Sequence, residues 1–360
     1  MLSFECDYNN GAHDLVLRHL VETNGESSLT YGFDRWSNEA REKIKTACGL
    51  PEAEVFFLQG GTQANAVVID SLLRSYEGVV CADSGHINVH EAGAIEATGH
   101  RVIALPADNG KLSTKVLEHY LRDYHHDESR EHVAQPGMVY ITFPTEMGTL
   151  YSSEEIAALY DLCLQHRLPL FIDGARLAYG LAALSEAEGM AMGDALAWIA
   201  RHCDAFYIGG TKCGALSGEA VVFTSHHVAA PRGFFSNVKR HGALSAKGRL
   251  AGVQFDALFS SLPSGEDSRE PLYFQLGRHA VGMAMKVKEV LREAGCRFFI
   301  ESPTNQQFVV MPNKRVGELK PQVDFTVWGP YDADNMLCRF VTSWSTSDED
   351  IARLRDILSV

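Results

Sequence analysis

The sequence predicts an α/β fold: a large domain on a mostly parallel sheet with helices on both faces, followed by a smaller α+β domain. Three observations carry this. Short apolar runs of strand length alternate with helix-length segments through most of the chain, the pattern of crossover connections between parallel strands. That pattern changes after about Leu250, where a long helical stretch leads into closely spaced strands. At 360 residues the chain is also too long for one compact core. The expected division is 1–255 for an N-terminal arm and the large domain, and 256–360 for the small one.

The strands predicted in the first part are Val55–Leu58, Val79–Ala82, Val102–Leu105, Met138–Thr142, Pro169–Ile172, Ala205–Ile208 and Ala220–Thr224. Each is a short apolar run. Helices are predicted between several of them, at Ala64–Leu73, Val89–Ala97, Ser113–Arg122, Ser153–Gln165 and Ala191–Arg201. The second part begins with a helix over Leu272–Ala294, whose apolar residues Leu276, Val281, Met285, Val287, Val290 and Leu291 recur at helical spacing. Strands Phe298–Ile300, Gln307–Met311, Val323–Trp328 and Leu337–Val341 follow, and a helix over Asp348–Leu358 closes the chain. The polar stretch Tyr124–Gly137 reads as a solvated loop. Its His125, His126 and His132 match no metal-ligand spacing, and no metal is expected. Ser260–Glu270 reads as a surface connection. No internal repeat is visible.

Four strand ends carry chemistry. Lys212 follows a strand through Gly209-Gly-Thr, and Asp173 ends another in Phe171-Ile-Asp-Gly-Ala-Arg176. A lysine that forms a Schiff base, with an acid that keeps a pyridinium nitrogen protonated, suits pyridoxal phosphate chemistry. Gly60-Gly-Thr62 leads from a strand into a helix, and backbone amides at such a start cradle a phosphate. His86 follows a fourth strand, where its imidazole can lie on a cofactor ring. Each feature alone is an ordinary strand end. Ligands of parallel sheets bind beyond the carboxyl ends of the strands, so the four can share one crevice.

The composition narrows the class. Lys and Arg number 32 against 46 Asp and Glu, a net charge of −14, which disfavours nucleic acids and anionic membranes as partners. Hydrophobic residues make up 46% and the mean hydropathy is −0.10, as in an ordinary soluble protein. Met1–Asp7 does not read as a signal peptide, and no apolar run approaches the ~20 residues of a spanning helix. The 8 cysteines are scattered without a CxxC pair, which reads as reduced thiols in the cytoplasm.

The chain resembles the threonine aldolase-like branch of the β-eliminating lyase family, among pyridoxal phosphate enzymes of the aspartate aminotransferase fold (fold type I). The resemblance runs nearly end to end. It includes Tyr31-Gly-Phe-Asp34, Gly60-Gly-Thr-Gln-Ala-Asn65, Gly85-His-Ile-Asn-Val-His-Glu-Ala-Gly93, Phe143-Pro-Thr-Glu-Met-Gly-Thr149, Asp173-Gly-Ala-Arg176, Gly209-Gly-Thr-Lys212, Gly242-Ala-Leu-Ser-Ala-Lys-Gly-Arg249 and Arg339-Phe-Val-Thr-Ser-Trp344. Within the branch it is most similar to phenylserine aldolases and low-specificity L-threonine aldolases.

The resemblance implies that Lys212 carries the cofactor, Asp173 partners its ring nitrogen and His86 stacks on the ring. It implies that Gly61, Thr62 and Thr211 touch the phosphate, that Arg176 neighbours the cofactor and substrate, and that Arg339 holds the substrate carboxylate. Tyr31 and the stretch carrying Lys247 and Arg249 would reach a neighbouring subunit's site, so a homodimer or homotetramer with shared sites is implied. The sequence departs from the family at two places. Cys6 stands where a Ser near the substrate carboxylate is common, and Glu146 stands where a site His is common.

The expected reaction is cleavage of a β-hydroxy-α-amino acid of threonine, allo-threonine or phenylserine type to glycine and an aldehyde. His86 is the first candidate base for the β-hydroxyl and Glu146 the second, because an exposed Glu is a poor base unless burial raises its pKa. β-Elimination and racemisation use the same residues and remain alternatives. So does a binding module that retains the fold without turnover.

Overall fold

The computed structural model describes residues 2–261 and 270–359; most of the predicted surface connection Ser260–Glu270 lies outside the described residues. The chain opens with β1 (Leu2–Phe4). A seven-stranded sheet follows, made of β2 (Glu54–Leu58), β3 (Glu77–Ala82), β4 (Arg101–Leu105), β5 (Gln135–Thr142), β6 (Leu170–Asp173), β7 (Ala205–Gly209) and β8 (Glu219–Phe223). A five-stranded sheet adds β9 (Arg297–Ile300), β10 (Gln306–Pro312), β11 (Val323–Pro330) and β12 (Asn335–Val341), with β1 pairing parallel to β11 at its edge. The start of the chain therefore belongs to the same sheet as its end.

In the large sheet the order is β2-β8-β7-β6-β5-β3-β4. The pairs β3–β4, β3–β5, β5–β6 and β6–β7 are parallel, while β8 is antiparallel to both β2 and β7. So β2 runs with β7, and only β8 is reversed. The carboxyl ends of six strands and the amino end of β8 meet along one edge. That edge positions the site. Strands β6, β7 and β8 are buried throughout, as strands covered on both faces must be.

Glycines let these strand ends approach one another. A Cβ on Gly174 would collide with the carbonyl oxygen of Tyr207, and one on Gly209 with the carbonyl of Ala175. The turn after Asp173 thus lies directly on β7, which needs glycine at both places. Gly174→Ala is expected to destabilise the protein by about 1–3 kcal/mol, the usual cost of overpacking, read as a lower urea midpoint.

The helices at Ser153–His166 and Asp348–Leu358 each begin with a capping box, from Ser152 and Ser347. The predicted helix Val89–Ala97 does not form. A single turn spans His86–Val89, Ala92 and Gly93 take left-handed angles (φ 52° and 77°), and a 3-10 turn covers Glu96–Thr98. The turn His86–Val89, capped at His90, brings Glu91 back against His86. The polar stretch 124–137 is also less loop than expected. The helix Thr114–His126 continues into it, and a 3-10 turn at Arg130–His132 precedes β5. Helices unread in the sequence include Asp14–Thr23, Arg35–Cys48, Leu177–Glu188 and Arg249–Leu258. Leu177–Glu188 is buried from Leu177 to Leu184 without a break, so it shows no apolar stripe to read. The long helix Leu272–Glu293 packs on it and on Asp348–Leu358, joining the two sheets' helical layers. Among the described residues, no helix is long and apolar enough to cross a membrane.

Candidate active site

A cavity of about 730 Å³ opens at the strand-end edge, within the range of small-molecule sites. Its walls include Gly61, Thr62, His86, Glu146, Asp173, Arg176, Thr211, Lys212 and Arg339. The structure thus brings together nine of the residues singled out from sequence, drawn from the ends of β2, β3, β5, β6 and β7 and from β12.

Asp173 is buried and surrounded by donors. Its Oδ1 accepts from Ala175 N (3.0 Å) and the Tyr207 hydroxyl, and its Oδ2 from Asn65 Nδ2 (2.9 Å) and the Tyr140 hydroxyl (2.6 Å). Burial alone would raise its pKa. The His86 charge and these hydrogen bonds outweigh burial and hold the carboxyl below its ordinary value. It is therefore a stable anion in a dry wall.

His86 Nδ1 lies 2.7 Å from Glu91 Oε1, and Asn65 Nδ2 also donates to that oxygen at 2.7 Å. A chain of hydrogen bonds therefore links His86, Glu91, Asn65 and Asp173. Burial works to lower the His86 pKa, but the Glu91 bond and the charges of Asp173 and Glu91 raise it above the ordinary histidine value. These partners favour the protonated ring relative to a free histidine, with Nδ1 facing Glu91.

Glu146 is buried beneath His86. Its Oε1 accepts the His86 backbone N–H (2.8 Å) and its Oε2 the Thr142 hydroxyl (2.9 Å). Burial pushes its pKa up to about 7. The sequence supplies the carboxyl but not its depth, and depth is what makes it basic near neutral pH.

Lys212 is half-buried, with Nζ 5.8 Å from the Tyr8 ring centroid. Burial and the Arg176 charge lower its pKa despite Asp7, Asp173 and Glu219. That favours the neutral amine, the nucleophilic form. Arg176 itself is clamped by Asp7, with Nε–Oδ2 at 2.7 Å and Nη2–Oδ1 at 3.0 Å, and Asn305 completes the shell of Asp7 at 2.9 Å. Asp7 and Glu219 were unread in the sequence. Asp7 sits beside Cys6, 169 positions from Arg176. Glu219 starts the one reversed strand, opposite Gly209 and Leu58, and burial raises its pKa to about 8.

Arg339 donates from Nη1 to Gln306 Oε1 (3.1 Å) and from Nη2 to Thr326 Oγ1 (3.2 Å). Its Nε is buried with no hydrogen-bond partner. Burial lowers its pKa to about 10, which leaves it cationic at neutral pH. An unpaired buried donor beside a cavity fits an anionic ligand group, such as a carboxylate.

Four expected residues lie elsewhere in this protomer. Cys6 lines a separate small cleft with Ser343 and Asp350, not the main cavity. Tyr31 lines another, beneath the Lys239 ammonium. Arg249 gives its guanidinium to the carbonyls of Thr23 and Glu26, lies over Trp36 at 4.2 Å, and borders a third cleft together with Lys247. Thr211 does face the cavity, but its hydroxyl donates to Glu219 Oε1 at 2.9 Å and accepts from Gly218 N. Its single proton is thereby committed, and the hydroxyl does not donate to an anion in this arrangement.

These residues fit pyridoxal phosphate. A lysine with a lowered pKa and a buried anionic carboxylate stand in one cavity. The helix Gly61–Leu72 starts there at Gly60 with no side-chain cap, which leaves its first N–H groups for an anion. A Cβ at Gly61 would come within 2.9 Å of the Tyr207 hydroxyl, so only glycine fits that cradle.

The model of the beta-eliminating lyase family matches residues 20–310. The chain belongs to this family. It is 28% identical to the low specificity L-threonine aldolase of Pseudomonas aeruginosa, over 98% of this chain and 95% of that one. Its structure is similar to that of threonine aldolase from Leishmania major, with a TM-score of 0.90 and 35% identity over 100% and 99% of the two chains. A NifS-like protein from Rickettsia africae, 14% identical with a TM-score of 0.66, shares the fold. The fold is fold type I of the pyridoxal phosphate enzymes, and this beta-eliminating lyase depends on that cofactor.

Proposed function

We propose that this beta-eliminating lyase cleaves β-hydroxy-α-amino acids of threonine, allo-threonine or phenylserine type to glycine and an aldehyde. The observation that carries the reading is Glu146. It is a buried carboxyl with a pKa of about 7, in one cavity with Lys212, Asp173 and a carboxylate-seeking arginine. Elimination needs no base for a β-hydroxyl; a retro-aldol cleavage does.

Pyridoxal phosphate, when bound, supplies the electron sink for the pair released from the Cα–Cβ bond. Lys212 would hold it through Nζ, Asp173 at the ring nitrogen, and His86 against the ring. Gly61 and Thr62 would meet the phosphate through backbone N–H groups. Arg339 would take the substrate carboxylate with Nε and a free Nη hydrogen. Glu146 would accept the β-hydroxyl proton. His86 ranks behind it as a base, because its partners favour the protonated ring. This reverses the order expected from sequence.

The sign of the pH dependence follows. Protonated Glu146 cannot accept a proton, so kcat/KM should rise as pH increases through about 7 and then level. Glu146→Gln should lose that limb and about 10²–10⁴-fold in rate, with cofactor affinity little changed. An unchanged profile would remove Glu146 from the reaction.

The outlying Tyr31, Lys247 and Arg249 fit a site completed across a subunit interface, hence a homodimer or homotetramer. Sedimentation of the active enzyme as a monomer would contradict this. The free thiols and the small amino-acid substrate fit a cytoplasmic enzyme.

A further inference from the structure

Trp328 lines the cavity from β11, beside a bulge in that strand. On β11, Val327 pairs with Cys338 and Gly329 with Leu337, so Trp328 is the extra residue of a bulge. Side chains of a strand alternate between faces, so Thr326 and Trp328 share one face, the face of Arg339 opposite Thr326 on β12, and both border the cavity.

The indole is held in place. The Arg339 guanidinium carbon lies 4.7 Å from its ring centroid. Phe308 and His90 meet the ring edge-to-face at 5.5 and 5.8 Å, both at 82°. His90 also borders the cavity, and neither of its ring nitrogens has a hydrogen-bond partner among the described residues. Burial, with the charges of His86, Arg339, Arg176 and Lys212, lowers the His90 pKa, so its ring is neutral beside the indole. The arginine with the unpaired Nε and this aromatic surface are therefore one unit. A carboxylate on Arg339 brings the rest of an amino acid alongside Trp328.

We propose that Trp328, backed by His90, is the wall that receives the β-substituent and selects aromatic over small aliphatic groups. This rests on the aldolase reading and names the residue that sets the preference among its substrates, toward those with a β-aryl group. Aromatic pairs stabilise beyond simple area burial, and the preference comes from that difference.

The test compares L-phenylserine with L-threonine in the holoenzyme and in Trp328→Ala and Trp328→Phe. Trp328→Ala will lower both kcat/KM values, because Arg339 loses the ring it lies on. The ratio carries the proposal. It should shift about tenfold against phenylserine in Trp328→Ala and return to within about threefold in Trp328→Phe. The second arm measures dissociation constants of L-phenylalanine and L-alanine, which lack the β-hydroxyl, and their ratio should shift the same way. Equal losses for the aromatic and small ligands in both arms would overturn the proposal and leave Trp328 as a support for Arg339. If wild type forms no aldehyde from either hydroxy acid, the aldolase reading falls, while the two amino acids still decide the wall.

Discussion

Lys212→Ala will lose the borohydride-reducible link to pyridoxal phosphate, and its turnover will fall by roughly three orders of magnitude or more. The reason lies in the setting of the amine. Lys212 stands in the one cavity that also holds Asp173 and the open helix start at Gly60, and burial beside Arg176 favours its uncharged form. Among the described residues, no other lysine borders that cavity. The variant should fold normally, because among the described residues the ammonium makes no salt bridge and its close contact is the Tyr8 ring. Trapped cofactor on another lysine, found by peptide mapping, would refute the assignment.

Asp173→Asn should keep cofactor bound and lower turnover by about 10²–10³-fold, the usual cost of removing a preorganised electrostatic partner. The carboxylate accepts from Ala175 N, Tyr207, Asn65 and Tyr140, which fills its four lone-pair positions. A cationic ring nitrogen placed there exchanges one neutral donor for a charge-assisted bond, the stronger kind. An amide loses the charge and also turns an NH₂ toward these donors. The readout is kcat together with the cofactor's absorbance. Near-normal kcat would show that the charge of Asp173 is not used.

Much of this was legible in the sequence, for a physical reason. A buried parallel strand is a continuous apolar run, and the residue that ends it points into the crevice. Asp173, His86 and Lys212 could therefore be read as strand ends. What could not be read depends on contacts made across the fold. Glu146 was visible only through family likeness, and nothing local tells that it is buried deeply enough to titrate near 7. Glu91 reaches His86 because a single turn, His86–Val89, ending at His90 replaces the expected helix. Asp7 finds Arg176 because β1 joins the far sheet. Trp328 looked like one more strand residue until the fold placed it on the cavity wall under Arg339. Tyr31, Lys247 and Arg249 follow from family likeness alone, and in this protomer they lie outside the cavity.

The central claim is cleavage between Cα and Cβ. Its most direct measurement is the product balance from L-threonine and L-phenylserine with the purified holoenzyme. The account predicts glycine and the matching aldehyde in equal amounts, with no ammonia. Formation of a keto acid and ammonia, without glycine, would contradict it and assign the chain to β-elimination instead.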